Sequence, residues 1–367
     1  MNAERPIRVL EVVDCLNGGG AQTALLEWIR RLPRDRFQVD VVSLFGPGLL
    51  SQTFADAGFP PAHLSPFRWN PAIPLRLAPW LRRDYDVVHA HLVISSFLCE
   101  RMMSTRRLGR LIVHVQNPVA ASGRYQDWIE RHAYRRAGTV LACSRHVLNT
   151  VGLCRNGEAL HNTINMEHFR PFNADERAVA RARFGLAEDQ PVFIAAGRLA
   201  PQKNHALLLD AFASVRVKLP RAVLLLAGDG PLRGALDAQA RTLGLGGSLR
   251  FVGFQEDVRD LLAAGDVYVL SSRYEGLSLS LLEAMACGLP CVSTFYPGAD
   301  EALENGMNGR LVPPDDVPAF AAALKELGAN PTVREVLGRA ARESVEDRFS
   351  AAATAARLTT IYEALSA

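Results

Sequence analysis

The chain lacks any stretch approaching about 18 uncharged apolar residues, so no segment reads as a membrane-spanning helix. It also lacks a secretory leader pattern, because Met1–Arg8 is polar and leads directly into the first expected strand. Its six cysteines, at positions 15, 99, 143, 154, 287 and 291, form no CxxC pair and no zinc-ligand spacing. That scatter favours buried free thiols in a reducing compartment over a disulfide framework. Cys287 and Cys291 flank a Gly-Leu-Pro turn, the one place where a disulfide is conceivable. Lysine is almost missing, with three against 38 arginines.

What is present is the composition of an ordinary folded protein, 49% hydrophobic and 22% charged. Its 367 residues suffice for two domains at about 100–200 residues each. The net charge of +3 hides an asymmetry: residues 1–165 carry 20 arginines against 13 acidic residues, and residues 166–367 carry 21 basic against 25 acidic. Seven of the nine histidines also lie in the first half. A basic half suits anionic lipid or a phosphorylated acceptor, and no motif points to nucleic acid.

The first half alternates short β-branched runs with amphipathic segments. Arg8–Val13, Gln38–Leu44, Val87–Ala90, Leu111–Val115 and Thr139–Cys143 read as strands, and Thr23–Leu32, Leu49–Ala57, Ser95–Met103 and Trp128–Arg136 as helices. A break at 165–190 reads as a hinge, after which the rhythm resumes at Val192–Ala196, Val223–Ala227, Leu249–Val252, Val267–Ser271, Cys291–Thr294 and Gly309–Val312. This βαβα order predicts an α/β protein of two Rossmann-like, doubly wound parallel-sheet domains facing a central cleft.

The most informative segment is 274–291. Glu275 stands in a loop after a buried strand, and Glu283 projects from a short apolar helix over roughly Ser278–Ala286, stopped by Gly288 and Pro290. Ligands of parallel sheets bind at the C-terminal ends of strands, which is where this pair falls. An apolar helix tolerates a glutamate poorly unless something pairs with it, and sugar-nucleotide hydroxyls would serve. Arg198 and Lys203 share one loop after the first strand of the second half and can converge on a diphosphate, or be two solvated charges. The run 17–22, Asn-Gly-Gly-Gly-Ala-Gln, follows the first strand and opens a helix, so Gly19 and Gly20 suit either phosphate approach or a tight turn. Its spacing is not GxGxxG and carries no nicotinamide fingerprint. The run Phe251-Val252-Gly253-Phe254 ends another strand, where exposed backbone could hydrogen-bond a nucleobase, and structural packing explains the phenylalanines equally well. Asp229 reads as a cap, and Asp84-Tyr85-Asp86 as a turn rather than a metal-binding DxD, since it precedes a strand. His89 and His91 share one strand face, as do His114 and Gln116. With no convincing third metal ligand, they read as a polar face lining a pocket.

Taken together, these motifs resemble the retaining glycosyltransferases of family 4, which have the GT-B fold. The resemblance covers nearly the whole chain and rests on Glu275-x7-Glu283, GRL…QKN, AGDGPL followed by FVGF, GGGAQ and the VVHAH strand. It implies an acceptor-binding domain over 1–167, a donor-binding domain over 168–350, and a final helix over 351–367 crossing back to the first. It implies that Arg198 and Lys203 bind the donor diphosphate without a metal, and that amides around Gly276, Leu277 and Ser278 hold sugar and phosphate. Glu275 would contact the donor sugar, Glu283 the ribose, and backbone atoms of Phe254 the base, while Gly19 and Gly20 would let the first domain approach the phosphates. Gln116 stands where relatives carry a histidine, and Gln22 where many carry glutamate. The implied donor is a nucleotide diphosphate sugar, UDP-linked before GDP-linked, with no other cofactor. The implied acceptor is a glycan or lipid-linked molecule of surface polysaccharide or glycolipid synthesis, handled in the cytoplasm or at the inner membrane face. A nucleotide-sugar 2-epimerase and a catalytically silent donor-binding subunit are the competing readings. Residues 68–83, rich in Trp, Leu and Arg, read as an interfacial segment or a proline-rich surface loop.

Overall fold

The computed structural model describes residues 5–17, 19–68, 70–119, 134–152 and 154–366. The helix expected over Trp128–Arg136 falls largely outside them, as do Gly18 and Trp69. The chain divides into two compact units, one holding Met1–Thr163 with Ala351–Ala367 and the other Ile164–Ser350.

The first unit is built on a seven-stranded parallel sheet ordered β3-β2-β1-β4-β5-β6-β7. Its strands are β1 (Ile7–Cys15), β2 (Phe37–Phe45), β3 (Ala62–His63), β4 (Val87–His91), β5 (Leu111–Val115), β6 (Thr139–Ala142) and β7 (Gly157–Ala159). The central strands β4 and β5 are buried along their whole length, as strands covered on both faces must be. The order reverses between β1 and β4, whose register pairs Glu11 with His89 and Val13 with His91. Asp86, at the entry to β4, accepts Arg5 and the Arg8 backbone amide, so the DxD run is an anchored turn.

The second unit repeats the plan with six parallel strands ordered β10-β9-β8-β11-β12-β13. These are β8 (Val192–Ala196), β9 (Val223–Ala227), β10 (Leu249–Gly253), β11 (Val267–Leu270), β12 (Cys291–Thr294) and β13 (Arg310–Val312). Its core joins Phe193, Leu224, Leu226, Val267, Val269 and Val292 from the sheet to Leu208, Phe212, Phe320 and Leu324 from covering helices. The strand order reverses between β8 and β11, so their C-terminal loops part there and leave a crevice suited to ligands. Residues in the expected hinge form a helix, Ala174–Arg183, begun by a capping box between Asn173 and Glu176. Both units are therefore Rossmann-like parallel-sheet domains, the pair that defines a GT-B protein. No helix among the described residues is long and apolar enough to cross a membrane. All six cysteines are free thiols, Cys287 and Cys291 both buried.

Candidate active site

The loops at the reversal of the second sheet carry the charged residues singled out above. After β8 the chain passes Gly197 and exposed Arg198 to a short 3-10 turn, Pro201–Lys203. After β11 it passes Ser271 and Ser272 to Glu275. The two loops are tied together. Lys203 Nζ lies 2.6 Å from Glu275 Oε1, which also accepts the Ser272 hydroxyl at 2.6 Å. Gln202 donates to the Tyr274 carbonyl at 2.9 Å and to Glu275 Oε2 at 3.3 Å. The Ser271 hydroxyl donates to the Lys203 carbonyl at 2.7 Å, and the Arg273 amide to the Gln202 carbonyl at 2.8 Å. Glu275 is only 8% exposed, so this is a mostly desolvated ion pair, with Oε1 held by two partners and Oε2 accepting Gln202 alone among the described residues.

Glycine makes room for the neighbouring turn. A Cβ on Gly228, whose φ is +129°, would come within 1.9 Å of the Gly197 carbonyl oxygen. Only glycine at 228 lets the β9 turn lie against the β8 turn. Asp229, expected as a helix cap, instead accepts the amide of Gly230 within the turn. The helix after it begins only at Arg233, with Leu232 at the N-cap, so the cap reading is corrected. Phe254 follows Gly253, which has φ of +73°, and is exposed.

Gly276, Leu277 and Ser278 are buried and lead into the helix Leu279–Ala286. Ser278 is its N-cap residue but makes no capping hydrogen bond; its hydroxyl lies 3.2 Å from that of Ser280. First-turn amides are thereby left for another acceptor. The far end of the helix is held by Arg342, which donates to the Ala286 carbonyl at 2.5 Å. Glu283 rides on this helix, and burial pushes its carboxyl up to about 8, helped by Asp257 and opposed by Lys203. His205, behind Lys203, is pushed down to about 4 by burial and by the lysine charge.

In the first unit, Gly19 precedes the helix Gly20–Ile29 in extended backbone, φ −177°, a conformation open to any residue. A Cβ there would meet the Gln22 side-chain oxygen at 2.8 Å, so space rather than strain selects glycine. Gln22 donates to the Cys15 carbonyl at the end of β1. Gln116, just beyond β5, is nearly buried with its side-chain nitrogen unpaired among the described residues, and its backbone carbonyl accepts the Cys143 thiol.

The expectation for the histidines needs correction. A third one does join them: His89, His91 and His114 present one nitrogen each, all within 4.8 Å of one another. Rather than line a pocket, all three are sealed from solvent. Sequence reasoning also missed Ser272 and Gln202, whose only local signal was polarity at a strand end.

The whole chain has clear relatives. Residues 176–344 match the family Glycosyl transferases group 1, and residues 18–157 match Glycosyltransferase Family 4. A D-inositol 3-phosphate glycosyltransferase of Saccharomonospora viridis is 33% identical over 314 residues, covering 77% of this chain and 71% of its own. The lipopolysaccharide core biosynthesis glycosyltransferase LpsE of Rhizobium meliloti is 34% identical over 229 residues, 62% of this chain and 65% of its own. The crystal structure of Anabaena HepE in complex with UDP superposes with a TM-score of 0.85 at 20% identity, covering 98% of this chain and 100% of that one.

Proposed function

We propose that this chain, which belongs to the family 4 glycosyltransferases, transfers a hexose or N-acetylhexosamine with retention from a UDP-sugar to a glycan or lipid-linked acceptor. The observation that carries the reading is the Lys203–Glu275 pair, braced by Ser272 and Gln202 at the reversal point of the second sheet. Loops at such a point are where parallel sheets take nucleotides. UDP is favoured because HepE, of the same fold, was crystallised with UDP and with UDP-glucose. A surface-glycan or glycolipid role is favoured by LpsE, named for lipopolysaccharide core synthesis.

The chemistry follows from the residue types. The bond from the sugar C1 to the donor phosphate oxygen breaks while the acceptor oxygen bonds to C1 on the same face. The acceptor proton passes to the leaving phosphate. Negative charge grows on that phosphate, and Arg198 with Lys203 stabilises it. Glu275 holds the sugar, and amides at Gly276, Leu277 and Ser278 hold sugar and phosphate at an uncapped helix start. Glu283 binds the ribose hydroxyls, and Phe254 offers backbone atoms to the base. Gly19 and Gly20 supply room for close approach. Gln116 orients hydroxyls by hydrogen bonding without carrying a proton at neutral pH. The exposed Phe67 and Leu75, among Arg68, Arg76, Arg82 and Arg83, suit contact with an anionic membrane on its cytoplasmic face.

A thermal-shift screen of UDP- and GDP-sugars, followed by transfer to lipid-linked acceptors, tests this reading. A UDP-sugar should raise the melting temperature and be consumed only with acceptor. If no nucleotide sugar stabilises the fold, the reading fails. Isomerised sugar nucleotide without acceptor would assign epimerase chemistry, and binding without turnover a silent donor-binding subunit.

A further inference from the structure

Four polar side chains meet on one buried face of the first sheet, from mid-β1 to the carboxyl ends of β4 and β5. Parallel register sets Glu11 of β1 beside His89 of β4, and His91 of β4 beside His114 of β5. All four therefore project from one face of three adjacent strands, and each is 0% exposed. Burying so much polarity in a sheet core is costly unless every group finds a partner.

The outer atoms do find partners. Tyr362, on the returning helix Ala351–Ser366, donates to Glu11 Oε1 at 2.8 Å and lies 2.7 Å from His89 Nδ1. His91 Nε2 lies 2.7 Å from Glu11 Oε2. Trp28 stacks on the His114 ring, centroids 4.9 Å apart and planes within 1°, while its indole N–H donates to Thr163. Among the described residues His89 Nε2 and His91 Nδ1 have no hydrogen-bond partner, and His114 has none beyond a backbone interaction with Leu160. Glu11 has no Lys or Arg partner among the described residues; the basic groups nearest it are the two imidazoles. A buried carboxylate in that setting calls for a cation close by.

We propose that His89, His91 and His114 form a closed, structural binding site for one divalent transition-metal ion of the zinc class, with Glu11 and Tyr362 orienting the ligands from behind. The free nitrogens divide in the manner of such sites. His89 and His91 each commit one ring nitrogen to an outer partner and keep the other for the ion, and His91 with Glu11 forms a carboxylate–histidine pair behind the metal. Imidazole ligands suit zinc and its neighbours in the transition series. A tetrahedral zinc places ligand nitrogens about 3.4 Å apart, so the three nitrogens, now within 4.8 Å of one another, must draw closer around an ion. Three protein nitrogens leave the fourth position of a tetrahedral ion to a trapped water, and burial of all three histidines keeps substrate from reaching it, which assigns the ion to folding rather than to transfer.

The test uses the full chain, purified, loaded with zinc and dialysed, then measured by elemental analysis. About one tightly held ion per chain is expected, and cobalt in its place should give a visible absorption band of a tetrahedral centre. Chelation should lower the melting temperature by roughly 5 °C or more, and zinc should restore it. His114→Phe keeps a ring against Trp28 while removing a ligand, and should drop retained metal to about one-tenth. Wild-type protein that holds less than about 0.1 ion per chain, with no cobalt band, overturns the proposal and leaves a network held by a shared proton. Metal retained undiminished in His114→Phe overturns it too, by assigning the ion to surface histidines. If that variant does not fold, the wild-type stoichiometry and cobalt spectrum decide alone.

Discussion

The two units use one sheet plan but put their charge in opposite places. In the second unit the polar cluster sits past the strand ends, where Lys203, Ser272 and Glu275 meet in loops around β8 and β11. In the first, Glu11, His89, His91 and His114 sit in the interior, sealed under Trp28 and Tyr362. The difference separates two uses of polarity. At strand ends a charged pair can trade its partners for a ligand, because incoming groups can reach it. Sealed in the interior the same pair can only hold the fold, and anything bound there is permanent furniture.

The contrast is broken most severely from the inside. His91→Ala leaves the Glu11 carboxylate buried with half its partners gone, and should cost about 3–5 kcal/mol in chemical denaturation. Donor affinity of whatever stays folded should be unchanged. Lys203→Ala or Glu275→Ala should do the reverse, lowering transfer about 10²–10³-fold with a much smaller change in stability. If both variants unfold the protein instead, the strand-end pair is structural and the distinction collapses. Gly228→Ala lies between these cases. Its methyl would collide with the Gly197 carbonyl, so about 1–3 kcal/mol of destabilisation should accompany weakened donor binding as the two turns separate.

A smaller effect comes from Glu283, whose folded-state carboxyl is raised from 4.5 to about 8. The folded protein then holds a proton that the unfolded chain releases. This contribution to stability is complete below the unfolded value and is lost as pH rises through about 8. Glu283→Gln should flatten the stability profile across that window, by at most about 1.4 kcal/mol per pH unit. Ribose hydroxyls that favour the ionised carboxylate would release the proton on donor binding, a fraction of one proton readable by calorimetry in two buffers near pH 7.5. The mildest change is Phe67→Ser with Leu75→Ser, two side chains 71% and 77% exposed, which should alter stability by less than about 0.5 kcal/mol. Vesicle flotation on anionic lipid should nevertheless fall; unchanged flotation would remove the membrane contact from the first unit.

The legible part of this molecule was what is written locally. Buried strand runs such as Val87–Ala90 and Val223–Ala227 carry their own signal, and so does a glutamate lodged in an apolar helix. Helix ends were displaced by a residue or two, since fraying and capping depend on surroundings: Leu49–Ala57 became Ser51–Asp56. Gly309 dropped out of its strand because its pairing goes to Asn305 in an isolated bridge, its carbonyl accepting the Gly306 amide. The ion pair of Lys203 with Glu275 was less accessible, because it joins loops 72 residues apart that only the sheet order brings together. Least accessible was the histidine group. The two-residue spacing of His89 and His91 gave a shared face, but not the register that sets His114 beside them. Nor does any local pattern announce that a tyrosine near position 360 will close over a glutamate at position 11.

That tyrosine gives the order of synthesis a role. Glu11 leaves the ribosome with the first strand of its sheet, and its partner Tyr362 follows 351 residues later. Domains generally fold as they emerge, amino-terminal first. Here the first sheet must wait, with Glu11 and His89 unsatisfied, while the whole second unit is made. A chain that stops even one turn short of Tyr362 carries a buried carboxylate with an oxygen unpaired, and is marked as unfinished at its core.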